Sequence, residues 1–246
     1  MYNRVVIKLS GEALSGDGNG SSKESGSNIK YDKELINSVL TDILNVTKEG
    51  TQVSLVFGGG NIWRGKNSDP DMDRVKADQM GMLSTVINSI YISDKIRLLG
   101  GKAVVLTPFH IGNMTELYSK EKALEYMDKG YIVIFAGGLG HPYFSTDTIP
   151  VLRALELEAD CILFAKSVDG VYSKDPNKHE DAIKYQEISY KKIVEENLQA
   201  MDLAGMILCQ ENKINSLVFS LSHPNSIYIA CKDNNEIYDF GTRIIY

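Results

Sequence analysis

The chain has 246 residues, 43% of them apolar and 24% charged, with a formal net charge of −6. That length suffices for one full α/β core, and the composition is that of a globular protein in water. The acidic balance excludes a protein that works by laying a basic face on nucleic acid or a membrane surface, but not one that holds a small anion with a few local cations and backbone amides.

In chain order, residues 4–9 read as a buried strand ending in Lys8-Leu9-Ser10-Gly11. A Gly/Ser-rich stretch over about 15–28 follows and reads as a mobile loop. Leu35, Ile36, Val39, Leu40, Ile43 and Leu44 recur at helical spacing, and Gly50 closes that helix. A second strand, 53–57, runs into Gly58-Gly59-Gly60-Asn61. A long helix is expected over 73–99, carrying Met80, Met82, Leu83, Val86, Ile87 and Ile90. Then come a strand at 102–106, a helix at 115–128, and a strand at 132–135 that ends at Gly137-Gly138-Leu139-Gly140. A helix over 148–158 precedes a strand at 161–164 and the turn Asp169-Gly170-Val171-Tyr172. Helices are expected at 190–196 and 202–212, and further strands at 217–220, 226–230 and 242–245. This alternation predicts a single αβα sandwich, with a mostly parallel sheet covered by helices on both faces.

Four glycine-bearing turns thus follow apolar runs, on the edge of the sheet where open α/β proteins bind ligands. Glycine allows close approach of the backbone to an anion, and a following helix points unpaired N–H groups at it. The pattern suggests a phosphate-rich ligand. Neither G-x-x-x-x-G-K-[ST] nor a strand followed by G-x-G-x-x-G and a distant acid occurs, which sets aside P-loop ATPases and nicotinamide dehydrogenases. Cys161, Cys209 and Cys231 are widely spaced, odd in number and match no metal pattern, so a reducing, cytoplasmic setting is expected. No apolar signal core or bilayer-length span is expected either.

Several residues have two readings. Lys8 is either a solvated strand-end lysine or a cation for a transferring phosphoryl group. Arg64, after the triple glycine, is a phosphate fork or a surface arginine. Asp147 either caps the following helix or orients a lysine or metal. Asp78 faces solvent or a ligand, His141 lies on the surface or in a site, and Tyr172 stacks a base or merely completes a turn.

Taken together, Val6 to Leu14, Gly58-Gly59-Gly60-Asn61-Ile62-Trp63-Arg64-Gly65, Met72-Asp73-Arg74 with Ala77-Asp78, Pro142 to Thr148, Val168 to Tyr172 with Asp175-Pro176, and Met201-Asp202 resemble the amino-acid-kinase superfamily. Within it the likeness is to the bacterial uridylate (UMP) kinases, and the motifs run in family order to about residue 210. The resemblance implies transfer of a phosphoryl group from ATP, with Mg²⁺, to UMP in a homo-oligomer, typically a hexamer. It implies Lys8, Leu9, Ser10, Gly11, Gly60 and Arg64 around the ATP phosphates, and Lys166, Tyr172 and Asp175 around the rest of that nucleotide. Gly59, Asp78, Leu139, Gly140, His141, Pro142, Tyr143, Phe144, Ser145 and Thr146 would hold UMP. Lys8, Arg64 and Asp147 would form the catalytic set. Leu139 and His141 stand where the family pattern has threonine and asparagine. Lys166 stands where threonine is usual, while the two usual lysines around it are absent. Two rival readings are a relative acting on a carboxylate or carbamate, and a nucleotide-binding protein without catalysis.

Overall fold

The computed structural model describes residues 1–11, 14, 15, 31–63 and 71–246. The 15–28 stretch beyond Ser15, together with Arg64, lies outside these described residues.

The strands are β1 (Arg4–Leu9), β2 (Gln52–Phe57), β3 (Ala103–Thr107), β4 (Glu116–Leu117), β5 (Ile132–Phe135), β6 (Cys161–Lys166), β7 (Glu187–Ser189), β8 (Asn215–Ser220) and β9 (Gly241–Ile245). They form one sheet in the order β4-β3-β5-β2-β1-β6-β8-β9-β7. All pairings are parallel except β8 with β9. The helices are α1 (Lys33–Lys48), α2 (Arg74–Leu98), α3 (Lys120–Asp128), α4 (Thr148–Glu156), α5 (Tyr190–Glu195), α6 (Leu203–Glu211) and α7 (Ser226–Cys231).

The pleat of β1 divides the core. Val5, Ile7 and Leu9 join α1, α2 and α7 on one face, whereas Val6 joins α3, α4, α5 and α6 on the other. Alternation along a strand then sends Lys8 to the α4 side. Strand β1 is central, so its carboxyl end opens between the helices that follow β2 and β5.

Three expectations needed correction. The helix expected from residue 115 starts later: Glu116–Leu117 pairs with β3, and the Ser119 hydroxyl then caps α3 by accepting from the Lys122 N–H. The run at 226–230 is not a strand but α7, with Ile227, Ala230 and Cys231 buried at helical spacing. Its first turn is capped from outside by Asp42 of α1, which accepts from the Ile227 and Tyr228 N–H groups; burial raises that carboxyl above its usual range in spite of those bonds. Strand β7 was not foreseen, because three residues carry too little periodicity to be read.

The middle of helix α2 is inverted relative to a simple amphipathic reading, although Ile92 and Ile96 further on are buried in the core. Ser84, Thr85, Asn88 and Ser89 are buried, while Met80, Leu83, Ile87 and Ile90 are exposed. Of the apolar residues expected on this helix, Val86 alone is fully buried.

Candidate active site

Two glycine turns meet at the end of β1. A Cβ at Gly58 would lie 2.8 Å from the Gly11 nitrogen, and one at Gly11 would lie 2.8 Å from the Gly60 nitrogen. The glycines are therefore required first by each other. Asn88, fully buried on α2, fastens the second turn. Its Nδ2 donates to the Gly58 carbonyl at 2.7 Å and to Asn61 Oδ1 at 2.8 Å. The Tyr31 hydroxyl completes this network by donating to Asn88 Oδ1 at 2.7 Å. At Gly59 a Cβ would press on Ser84 and on the Gly81 carbonyl of α2, so helix and turn are in backbone contact.

From this base a cleft of about 660 Å³ opens between α2 and the loop after β5. Lys8, Ser10, Gly11, Gly59 and Gly60 line one end. Asp78, Leu139, His141, Tyr143, Phe144, Ser145 and Thr146 line the rest. The volume falls within the range of small-molecule sites.

At the deep end, Lys8 Nζ lies 3.0 Å from Asp147 Oδ1, and Lys166 Nζ lies 3.4 Å from Asp147 Oδ2. Asp147 occupies the N-cap position of α4 but makes no capping bond with its side chain. The lysine-orienting reading is the one the geometry supports. Burial alone would push the Asp147 carboxyl up; the ammonium groups of Lys8 and Lys166 outweigh it and hold the carboxyl below its ordinary value. Burial lowers the Lys166 ammonium, with Asp147 acting against that shift. Lys166 also donates to the Ala200 carbonyl.

The loop from Gly137 to Thr146 is held at both ends. Gly137, Gly138 and Gly140 all have positive φ, and the Gly137 N–H donates to Thr85 Oγ1 at 2.9 Å. At the far end the Ser145 hydroxyl and the Thr148 hydroxyl donate to Asp202, which also caps α6 through the Gly205 N–H. In the middle, the Tyr143 N–H donates to Asp78 Oδ2 at 2.8 Å. Arg74 Nε contacts both Asp78 oxygens at 2.9 and 3.0 Å, and its guanidinium sits 5.4 Å from the Tyr143 ring centre. Tyr143 has φ 73, a left-handed conformation costly for a residue with a Cβ, and is 70% exposed. The strap to α2 holds it there.

Among the described residues no cluster of three or more His, Cys, Asp or Glu side chains has metal-holding geometry, and no helix is long and apolar enough to cross a membrane.

The family model for the amino acid kinases matches residues 3–220. The chain belongs to the amino acid kinase family. Two solved structures align along essentially its whole length. The UMP kinase from Bacillus anthracis is 33% identical, covers 99% of this chain and 96% of its own, and superposes with a TM-score of 0.89. The UMP kinase from Ureaplasma parvum is 35% identical over 100% of both chains, with a TM-score of 0.87. The uridylate kinase from Archaeoglobus fulgidus, at 24% identity and a TM-score of 0.73 over 98% of this chain and 99% of its own, shares the fold.

In this member of the amino acid kinase family, the residues expected at the site are not all together. The Leu9 side chain is in the core, and its carbonyl is taken by the Gly58 N–H. Gly140 and Pro142 belong to the loop without lining the cleft. Tyr172 and Asp175 lie off the cleft in the connection after β6. The Tyr172 hydroxyl donates to Asp169 at 2.7 Å and is pushed up to about 12 by burial and that carboxylate. Asp175 caps a turn by accepting from the Asn177 N–H and pairs with Lys178. Arg74, Asn88, Thr85 and Asp202 had no assigned role from sequence. Arg74 was legible as the partner four residues before Asp78 on one helix face; a buried Asn88 gave no signal.

Proposed function

We propose that the protein is a UMP kinase that moves the γ-phosphoryl group of ATP to UMP, giving ADP and UDP. The observation that carries this reading is that Lys8, paired with Asp147, and the nucleotide-sized loop wall share one cleft. The full-length likeness to two bacterial UMP kinases supports it.

A UMP phosphate oxygen attacks the γ-phosphorus and the bond to the ADP oxygen breaks. The attacking oxygen is already anionic, so no general base is needed. Rate comes from alignment and from neutralising charge on the transferring group. Lys8 supplies that charge, and Asp147 keeps it fixed in place. The backbone of Ser10, Gly11 and Gly60 forms the ATP-phosphate site, with Arg64 joining it by the resemblance and Leu9 supporting it from the core. Lys166 holds the donor side from a strand position shifted relative to the family pattern, and the connection after β6 that carries Tyr172 and Asp175, off the cleft, would meet the rest of ATP. The donor would be taken as its Mg²⁺ complex, which requires no all-protein cage among the described residues and would add positive charge beside that of Lys8. Gly59, Asp78, Leu139, His141, Tyr143, Phe144, Ser145 and Thr146 receive UMP, with Gly140 and Pro142 shaping the loop between them, and the product UDP feeds pyrimidine nucleotide synthesis.

The exposed stripe Met80, Leu83, Ile87 and Ile90 supports self-association through α2, within a hexamer as the resemblance implies. Three free, buried cysteines fit a reducing cytoplasm.

The test is ADP release from Mg-ATP with UMP, CMP, dUMP or AMP as acceptor. Strong turnover with UMP alone is expected, and would show that Leu139 and His141 still permit uracil recognition. No turnover with any nucleotide would return weight to a carboxylate kinase or a binding protein.

A further inference from the structure

Trp63 is the only tryptophan of the chain, and it lines the cleft. Its indole Nε1–H is buried and has no hydrogen-bond partner. Among the described residues it is the one such buried donor on a cleft-lining side chain. An unpartnered buried N–H is costly, and a fold keeps one where something else supplies the acceptor.

The position of the ring indicates what that acceptor is. The Trp63 N–H on the main chain donates to the Gly59 carbonyl at 2.9 Å, which fixes the residue to the exit of the triple-glycine turn. The ring edge at Cδ1, next to Nε1, is 3.9 Å from where a Gly81 side chain would begin. Trp63 therefore stands between the phosphate-lining glycines and the turn of α2 that carries Asp78, on the acceptor side of the cleft. Indole offers a donor and no acceptor, so it suits an oxygen that only accepts. We infer that the Trp63 indole N–H is a hydrogen-bond donor to the phosphate of the acceptor nucleotide. The inference rests on the reading of that acceptor as UMP. The N–H is covered in this conformation, so the contact requires the ring to turn as the nucleotide enters.

Trp63→Phe keeps the ring and removes the donor. Calorimetric titration with UMP should show Kd raised by about tenfold or more, as for loss of a bond to a charged oxygen. The KM for UMP should follow, with kcat within about twofold of wild type. Uridine, which lacks the phosphate, should bind the two proteins alike. In the wild type, UMP should shift the emission of the single tryptophan, and uridine should not. An unchanged UMP affinity in Trp63→Phe, or an equal loss for UMP and uridine, overturns the inference. So does wild-type emission that ignores bound UMP, which removes any dependence on how the variant folds. UMP that binds without ADP release overturns the kinase reading alone, because the binding and emission readings need no turnover. If UMP does not bind at all, both fall.

Discussion

Lys8 Nζ lies 3.0 Å from Asp147 Oδ1, although the two residues come from a central strand and from the start of a helix far along the chain. The pleat of β1 points Lys8 towards α4, and the first residue before α4 meets it. Lys8 is 6% exposed, and the group that faces it in this buried position is a carboxylate, the partner a buried ammonium requires. Its charge is thus aimed before any substrate arrives, which is the form of preorganisation that lowers a phosphoryl-transfer barrier. Lys8→Ala should reduce kcat by about 10²–10³-fold, the scale of losing one positioned electrostatic group. Circular dichroism should show the fold retained. Near-normal turnover would remove Lys8 from the mechanism.

Asp147→Asn leaves Lys8 and Lys166 facing one neutral amide. Removing one partner of a buried ionic cluster costs about 3–5 kcal/mol, an order-of-magnitude expectation at neutral pH. The pH dependence follows from the sign of the shift. The Asp147 carboxyl is held below its ordinary value in the folded state. Its stabilising contribution is therefore fully present above the unfolded carboxylate value near 4, and is lost only as pH falls through the lower folded value. Urea midpoints of wild type and Asp147→Asn should differ by the same amount at about pH 7 and pH 5, and converge below about pH 4. Convergence already between pH 7 and 5 would contradict the assignment.

Asp78 has both oxygens engaged, one by Arg74 and the other by Arg74 and the Tyr143 N–H together. A ribose hydroxyl that binds this carboxylate must share it or displace the strap. Asp78→Ala removes the strap and the contact at once. The KM for UMP should rise by about tenfold or more, the worth of a bond to a charged group, while the KM for ATP stays near wild type. Steady-state kinetics with each substrate varied in turn decides it. An unchanged KM for UMP with an altered KM for ATP would reverse the two sub-sites.

Lys8, the glycine turns and Asp147 were legible because each follows from a local rule. A lysine at a strand end points out of the sheet edge, and glycine marks close backbone approach. The glycines answer a further need that no local rule shows: Gly11 and Gly58 are small because their turns touch each other. The two options for Asp147 could not be separated locally, since cap and counter-ion differ only in the rotamer and in what faces it. Helix α2 resisted for another reason. Apolar periodicity equates apolar with inward, but this helix packs its polar side chains against the backbone of a glycine turn, where Asn88 finds the Gly58 carbonyl. Strand-like Ser226 to Ala230 became α7 because Asp42, distant in sequence, satisfies its first turn. These outcomes depend on partners that no window of sequence contains.

The outward stripe of α2 bears on assembly. Leu83 is 50% exposed, Ile87 44% and Ile90 39%, and with Met80 they lie three or four residues apart on one helix face. Fully burying one such side chain contributes about 1.5–3 kcal/mol, so two copies of the stripe packed together suffice to hold a contact once orientation costs are met. A two-fold contact also doubles every change, because the same residue enters from both copies. Leu83→Glu with Ile87→Glu would place carboxylates in that contact without touching the buried Val86 side of the helix. Light scattering should then report a smaller species than wild type at the same concentration, while the thermal transition of the subunit remains cooperative. An unchanged mass would show that copies assemble through another face, and a monomeric wild type would remove self-association altogether.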